Sequence, residues 1–249
     1  MNNTVDTAVI LAAGLGSRLG DLKENRPKAF LRVGEETLIE RSIRLLKRNG
    51  IKRIIIGTGF EKAYFELLQE AHDEITTQVN PKYADSGSMY TLYLLREHLT
   101  TPFLLLEADL LYEEDALHQL LQDDRENLIL ASGKTQSGDE VYIQCSSQGA
   151  LQNMSKNREA LESMDGELVG ICKFSRHVLA SMIRFAESHF ADADLHLHYE
   201  DTLVGIAPDI ELPVKVIDDL LWCEIDDASH LERARAKVYP RISDKENSR

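Results

Sequence analysis

Over its first 126 residues the chain alternates short apolar, β-branched runs with amphipathic ones, and few architectures accept that order. "TAVILA" (7–12) reads as a strand, and "LIERSIRLLKRNG" (38–50) as a helix whose apolar residues recur at three and four before Gly50 stops it. "RIIIGTG" (53–59), a helix over 61–71, "ITTQVN" (75–80), a helix over 88–99, "FLLLEAD" (103–109) and the helix "EEDALHQLLQ" (113–122) continue the series. Strands that are apolar almost throughout need cover on both faces, which β-α repetition supplies around a parallel sheet. The fold expected is therefore α/β and Rossmann-like, with a mixed, mostly parallel central sheet flanked by helices.

Beyond residue 127 the strand-like runs "LILAS" (128–132), "EVYIQC" (140–145), "ELVGICKF" (167–174) and "VKVID" (214–218) are broken only by the helices 176–190 and 228–239, and the tail "ISDKENSR" is polar and expected to fray. With no repeat, linker or low-complexity tract, the 249 residues are expected to form one domain, with a first half (1–126), a second half (127–240) and a polar tail (241–249). Cys145, Cys172 and Cys223 have no disulfide or zinc spacing and are expected to be reduced. The start "MNNTVDT" lacks a basic segment and no apolar run approaches the ~20 residues of a membrane span, so a cytoplasmic protein without membrane contact is expected. A net charge of −14 argues against coating nucleic acid, whose phosphates demand excess Lys and Arg. Self-association into a homo-oligomer is left open.

The stretch "LAAGLGSRLGDLKENRPKAF" (11–30) follows the first strand with Gly14 and Gly16, the context of a backbone nest for an anion. A dinucleotide fingerprint would need a third glycine where Leu19 stands, and a Walker loop would need Gly-Lys-Ser/Thr, which is absent. A glycine turn with no ligand is the remaining alternative. Against it stand Arg18, Lys23, Arg26 and Lys28, four cations beside the nest that suit a polyphosphate, with Pro27 fixing the backbone before Lys28.

"LAAGLGSR" followed by "RPKAF" resembles the G-x-G-x-R…P-K signature of the nucleotidyltransferases that make activated sugars and activated choline. The usual member carries Pro and Thr where this chain has Asp21 and Lys23. The resemblance implies that the loop Leu11, Ala12, Ala13, Gly14 and Gly16 wraps a nucleoside triphosphate, with Arg18 and Lys28 as catalytic cations; the departure from the family pattern adds Lys23 as one more candidate phosphate ligand. Such transfers need chiefly positioning and charge stabilisation. It also matches Asp109, closing "FLLLEAD", and Asp226, in "WCEIDD", to the carboxylates that hold Mg²⁺; carboxylates from distant segments suit an oxygen-seeking cation. Asp227 and Ser229 better fit the cap of the last helix.

By the same resemblance, Asn80, Ser86, Gly87 and Ser88 read the base, although either serine could simply cap the helix after it. "KYAD…MYTLYL" is most similar to the phosphocholine and aminophosphonate cytidylyltransferase branch, which implies CTP as donor. "DSGSMYTL", "SGDEVYI", "MSKN" and "HYEDTL" resemble the 2-aminoethylphosphonate enzymes within it. An ammonium with three N–H donors prefers carboxylates, whereas a quaternary one prefers an aromatic cage. The carboxylates on offer are Asp139, Glu140, Glu167, Glu200 and Asp201; the aromatics are Tyr83, Tyr90, Tyr142, Tyr199 and Trp222, in a chain only 6% aromatic. Glu140, Tyr199 and Glu200 are the acceptor candidates chosen. Lys156 of "MSKN" matches the family's lysine for the acceptor's phosphonate or phosphate, with Lys173 in reserve. The expected reaction is attack by a phosphonate oxygen of 2-aminoethylphosphonate on the α-phosphorus of CTP, with release of pyrophosphate. Phosphocholine, a sugar 1-phosphate, or a non-catalytic nucleotide sensor are the alternatives.

Overall fold

The computed structural model describes residues 5–23, 25–138 and 140–248, without the side chains of 21–23; Asp21, Lys23 and Asp139 as ligands thus lie outside the described residues. In chain order the strands are β1 (Thr7–Ala12), β2 (Arg32–Val33), β3 (Glu36–Thr37), β4 (Arg53–Thr58), β5 (Ile75–Val79), β6 (Phe103–Glu107), β7 (Leu110–Tyr112), β8 (Leu128–Ser132), β9 (Tyr142–Cys145), β10 (Leu151–Ser155), β11 (Gly166–Phe174), β12 (Val214–Ile217) and β13 (Trp222–Glu224). The helices are α1 (Leu38–Arg48), α2 (Ala63–Ala71), α3 (Ser88–Leu95), α4 (Asp115–Leu121), α5 (Arg176–Ala191), α6 (Tyr199–Ile206), α7 (Ala228–Arg233) and α8 (Tyr239–Asn247).

The central sheet runs β10-β9-β11-β6-β1-β4-β5 and is parallel from β6 through β5. β11 joins β6 antiparallel and carries β8 and then β12 on a branch. The sheet is therefore mixed and mostly parallel in its first half, as the apolar strands require. In β1, Ala8 and Ile10 turn to the face covered by Ile39 and Ile43 of α1, while Val9 turns to the face covered by Met89 and Leu92 of α3 and Val178 of α5. α1 starts on a capping box in which Thr37 and Glu40 satisfy each other's backbone N–H.

Two small pairings position the site. β7 and β13 pair antiparallel, Leu110 opposite Glu224, and the Ile225 N–H donates to the Asp109 carbonyl at 3.1 Å. That ladder brings the chain after β13 alongside the end of β6. A third apolar cluster, including Leu111, Cys223, Ile225, Leu231 and Ile242, backs it.

The tail departs from expectation. Residues 239–247 form α8, with Ile242 fully buried, Arg41 paired to Glu246 at 2.5 Å and Lys245 to the buried Glu113 at 2.5 Å. One apolar residue in an otherwise polar segment was too weak a periodic signal; its anchoring partners lie far away in sequence. The helix expected over 228–239 is interrupted by a π-helical turn at Ala234–Val238, and that expected over 88–99 tightens to 3₁₀ at Arg96–His98. Among the described residues no helix is long and apolar enough to cross a membrane.

Candidate active site

The loop after β1 opens at the C-terminal edge of the parallel strands, where ligands of α/β sheets bind. It forms one wall of a cleft of about 250 Å³ with Leu11, Ala12, Gly14, Gly16, Arg18, Lys28, Asp109 and Asp226 on its lining. Gly16 has φ +58°, a conformation that side chains resist, and its Cα lies where a Cβ would sit 3.4 Å from the Lys28 stem. The turn thereby lays Lys28 against the loop.

Lys28 is the hub. Its ammonium pairs with Asp109 at 2.5 Å and with Asp226, and Arg18 pairs with the other oxygen of Asp226 at 2.6 Å. Burial disfavours the charged ammonium, but attraction and hydrogen bonds from Asp109 and Asp226 outweigh it and raise the Lys28 pKa well above its ordinary value. Two carboxylates 117 residues apart in sequence thus meet on one cation, because the β7–β13 ladder delivers the second. Asp227 caps α7, accepting from the Ser229 and His230 N–H groups.

Further carboxylates crowd the same place. Ligand oxygens of Glu107, Asp109 and Glu224 lie within 4.8 Å of one another, and Asp109 Oδ1 is buried with no hydrogen-bond partner. Burial first, then repulsion from neighbouring acids, pushes Glu107 and Glu224 well above the usual carboxylate range. A hard divalent cation fits this donor set: all-oxygen, acid-rich, with one orphaned oxygen.

A second cavity, of about 340 Å³, continues from the first through Asp109 and Asp226, and Tyr83, Ser86, Gly87, Ser88, Lys156, His198 and Glu200 complete its far side. Ala13 lines it too. The base-loop candidates divide here. Ser86, Gly87 and Ser88 face the cavity; Asn80 is 1% exposed and lies behind the loop, its amide donating to Ser86 at 2.9 Å and Thr91 at 3.0 Å and its carbonyl accepting from the Lys82 N–H. Neither serine caps α3, whose N-cap is Gly87. A Cβ on Gly87 would meet the Leu197 carbonyl oxygen at 2.2 Å, so only glycine lets the segment before α6 approach. There Gly87 N–H donates to Leu195 O, Met89 N–H to Leu197 O and Tyr199 N–H to Ser88 Oγ.

The acceptor candidates also divide. Glu200 lines the cavity and has a buried, unpartnered Oε2. Burial raises its pKa, and Lys156 is among the cations that pull it back. The Tyr199 ring is core, and its hydroxyl donates to Glu107 at 2.5 Å. Glu140 accepts from the Ser137 N–H at 2.5 Å and the Tyr142 hydroxyl at 3.2 Å. Glu167 accepts from the Thr135 N–H, and Asp201 completes the cap of α6. Lys173 is buried away from the cleft, donating to the Asp123 carbonyl at 2.6 Å. Tyr90 packs on Tyr93 and Phe190.

Sequence reading gave Glu107 and Glu224 no role although they precede Asp109 and Asp226 by two residues. Strand periodicity held the missing signal: residues two apart share a face.

A family model described as "MobA-like NTP transferase domain" matches residues 8–170. A choline-phosphate cytidylyltransferase of Streptococcus pneumoniae is 44% identical over 102 residues, 41% of this chain and 44% of that enzyme. A 2-aminoethylphosphonate cytidylyltransferase of Lancefieldella rimae is 23% identical over 226 residues, 90% of this chain and 89% of that enzyme. The chain spans about half the length of two of the curated relatives it matches, 44% of the first and 51% of another. Among solved structures, an inositol-1-phosphate CTP transferase from T. maritima superposes with a TM-score of 0.80 at 19% identity, over 96% of each chain, a likeness of fold. The glycine-rich loop, the paired aspartates and the matching of nearly two-thirds of the chain agree, and the protein belongs to the family of MobA-like NTP transferase domains.

Proposed function

We propose that the protein transfers CMP from CTP to 2-aminoethylphosphonate, giving CMP-2-aminoethylphosphonate and pyrophosphate. The observation that carries this reading is the continuity of the cleft: the loop cavity and the Glu200–Lys156 cavity meet at Asp109 and Asp226, so a donor and a zwitterionic acceptor can touch there. Residues 1–126 supply the donor side and much of 127–240 the acceptor side of one domain. Relatives named as cytidylyltransferases support CTP as donor.

In this reading the loop 11–16 holds the triphosphate. Lys28 has three N–H donors and gives two to the aspartates, which leaves one for a phosphate oxygen, while the half-exposed Arg18 guanidinium has further donors for the same charge. Lys156 aligns the phosphonate and Glu200 takes the ammonium. A phosphonate oxygen forms a bond to the α-phosphorus as the bond to the bridging oxygen of pyrophosphate breaks; the nucleophile is already ionised near neutrality, as a phosphate with second pKa about 6 would be. Asp109 and Asp226, with Glu224, would hold Mg²⁺, whose contribution when bound is to neutralise charge on the phosphates.

Phosphocholine is the second reading, favoured by the 44% identical stretch. The chemistry of the pocket stands against it: among the rings that face the acceptor side, Tyr199 is tied to Glu107, while acids predominate. Pyrophosphate release with CTP and a panel of 2-aminoethylphosphonate, phosphocholine and glucose 1-phosphate tests the proposal. Turnover of phosphocholine alone would replace it, and silence with every acceptor would return the chain to nucleotide sensing.

A further inference from the structure

The two aspartates of the cleft each give one oxygen to Lys28: Asp109 its Oδ2, Asp226 its Oδ1. Their second oxygens differ. Asp109 Oδ1 is buried without a hydrogen-bond partner, whereas Asp226 Oδ2 receives the Arg18 guanidinium at 2.6 Å. A cation shared by the two carboxylates therefore finds the position open on the Asp109 side and held by Arg18 on the other. Asp226 is 5% exposed, and a carboxylate so withdrawn from water needs a counter-charge whatever else is bound, which accounts for Arg18 being there.

Magnitudes decide which of the two protein cations yields. The Lys28 side chain is 13% exposed, lies against the Gly16 turn and joins both aspartates, so withdrawing it strands two carboxylates at once. The Arg18 side chain is 58% exposed and pairs with Asp226 only. An ion pair with one solvated partner contributes little, and the guanidinium regains water on leaving. Repulsion between a guanidinium and a divalent ion on one carboxylate acts in the same direction. Arg18 also lines both cavities, on the wall that carries the glycine turn.

Resting on the reading above only for the placement of Mg²⁺ at Asp109 and Asp226, we infer that Arg18 gates that position: it neutralises Asp226 in the metal-free enzyme and is displaced from Oδ2 on metal loading, while Lys28 stays on both aspartates. Loading then returns the guanidinium donors to the triphosphate side of the cleft. Arg18 thereby sets metal affinity as well as meeting phosphate charge, and the two are linked reciprocally: whatever draws the guanidinium off Asp226 favours metal binding, and metal binding favours whatever the guanidinium meets next.

Titration of the full chain with Mn²⁺ by calorimetry, without nucleotide, tests the gate. Arg18→Gln is expected to bind Mn²⁺ about two- to fivefold tighter than wild type, the span an exposed ion pair covers. Lys156→Gln removes a cation from the same larger cavity and is expected to leave the affinity unchanged, which separates the gate from a general loss of positive charge. Circular dichroism confirms the fold of each variant. In wild type, Mg²⁺ should raise the rate at which phenylglyoxal modifies Arg18, followed by peptide mass spectrometry, and Asp109→Asn should abolish that rise. Unchanged affinity in Arg18→Gln overturns the gate, as a cation held by Glu107, Asp109 and Glu224 without Asp226 would give. Equal tightening in Lys156→Gln overturns it too, as does an Arg18 reactivity that Mg²⁺ does not move. Failure of wild type and variants to bind Mn²⁺ removes the metal placement and the gate together, and leaves cytidylyl transfer to be judged by the acceptor panel. Tighter Mn²⁺ binding by Arg18→Gln alone, with no acceptor turned over by wild type, supports the gate and removes the transfer reading.

Discussion

Replacing Lys28 by Met removes the charge that joins Asp109 to Asp226 while keeping most of the aliphatic stem. The three side chains are 13%, 18% and 5% exposed, so the carboxylates left behind are largely withdrawn from water. Removing one partner of a buried pair costs roughly 3–5 kcal/mol, because the survivor keeps its desolvation without its counter-charge. Arg18 still reaches Asp226 at 2.6 Å. The lower end, about 3 kcal/mol, is therefore expected. For a domain of this size each kcal/mol moves the thermal midpoint by about 2–4 °C, giving a drop of roughly 6–12 °C by differential scanning calorimetry. A divalent cation should restore part of the loss in the variant, since about 2.7 kcal/mol is regained at a hundredfold excess over its Kd. Pyrophosphate release should fall on the order of 10²–10³-fold, the usual cost of deleting a preorganised charge at a reacting phosphate. A variant within about 1 kcal/mol of wild type, by the scale on which surface pairs count, would refute the idea that Lys28 neutralises a strained acidic cluster.

Asp109→Asn should abolish turnover with the circular dichroism spectrum intact; full activity would remove Asp109 from the site. Gly87→Ala sets a methyl against the Leu197 and His196 carbonyl oxygens, and a raised KM for both substrates is expected in steady-state kinetics. Ile242→Ala should cost about 2–5 kcal/mol in urea unfolding, as a fully buried aliphatic does, where a frayed tail would cost nothing. Asp123 is held well below the ordinary carboxylate range, first by the Arg125 hydrogen bond and also by Lys215. A depressed folded pKa stabilises above the unfolded value of 3.8 and loses that stability as pH falls toward the folded one. The urea-midpoint gap between wild type and Asp123→Asn should accordingly be constant above about pH 5 and close below pH 4.

Much of this architecture was legible because its signals are local. "TAVILA" and "LILAS" occupy β1 and β8 residue for residue, since a run apolar on both faces has nowhere to go but the middle of a covered sheet. The loop from Gly14 to Lys28 was legible as the wall of a cleft because glycines after the C-terminal end of a parallel strand stand where α/β clefts open. What stayed hidden depends on partners remote in sequence. β7 and β13 are each three residues long, too short for a period, and exist because they pair with each other. Asn80 looked like a base ligand because nothing in the sequence tells that Thr91 and Ser86 consume its amide. Lys173 sits on a strand whose register points it at the Asp123 carbonyl, and a one-residue shift would have faced it the other way.

The strand-like seam between residues 86–89 and 195–199 has an evolutionary consequence. Two backbone N–H groups of the 86–89 turn and its Ser88 hydroxyl are hydrogen-bonded to the segment that presents Glu200, so these two walls of the larger cavity are joined. A lineage that reshapes the 195–200 segment also moves the Ser86–Gly87–Ser88 wall of the larger cavity. The two walls cannot drift separately here, and a graft that replaces one must carry residues 80–91 along with 195–206.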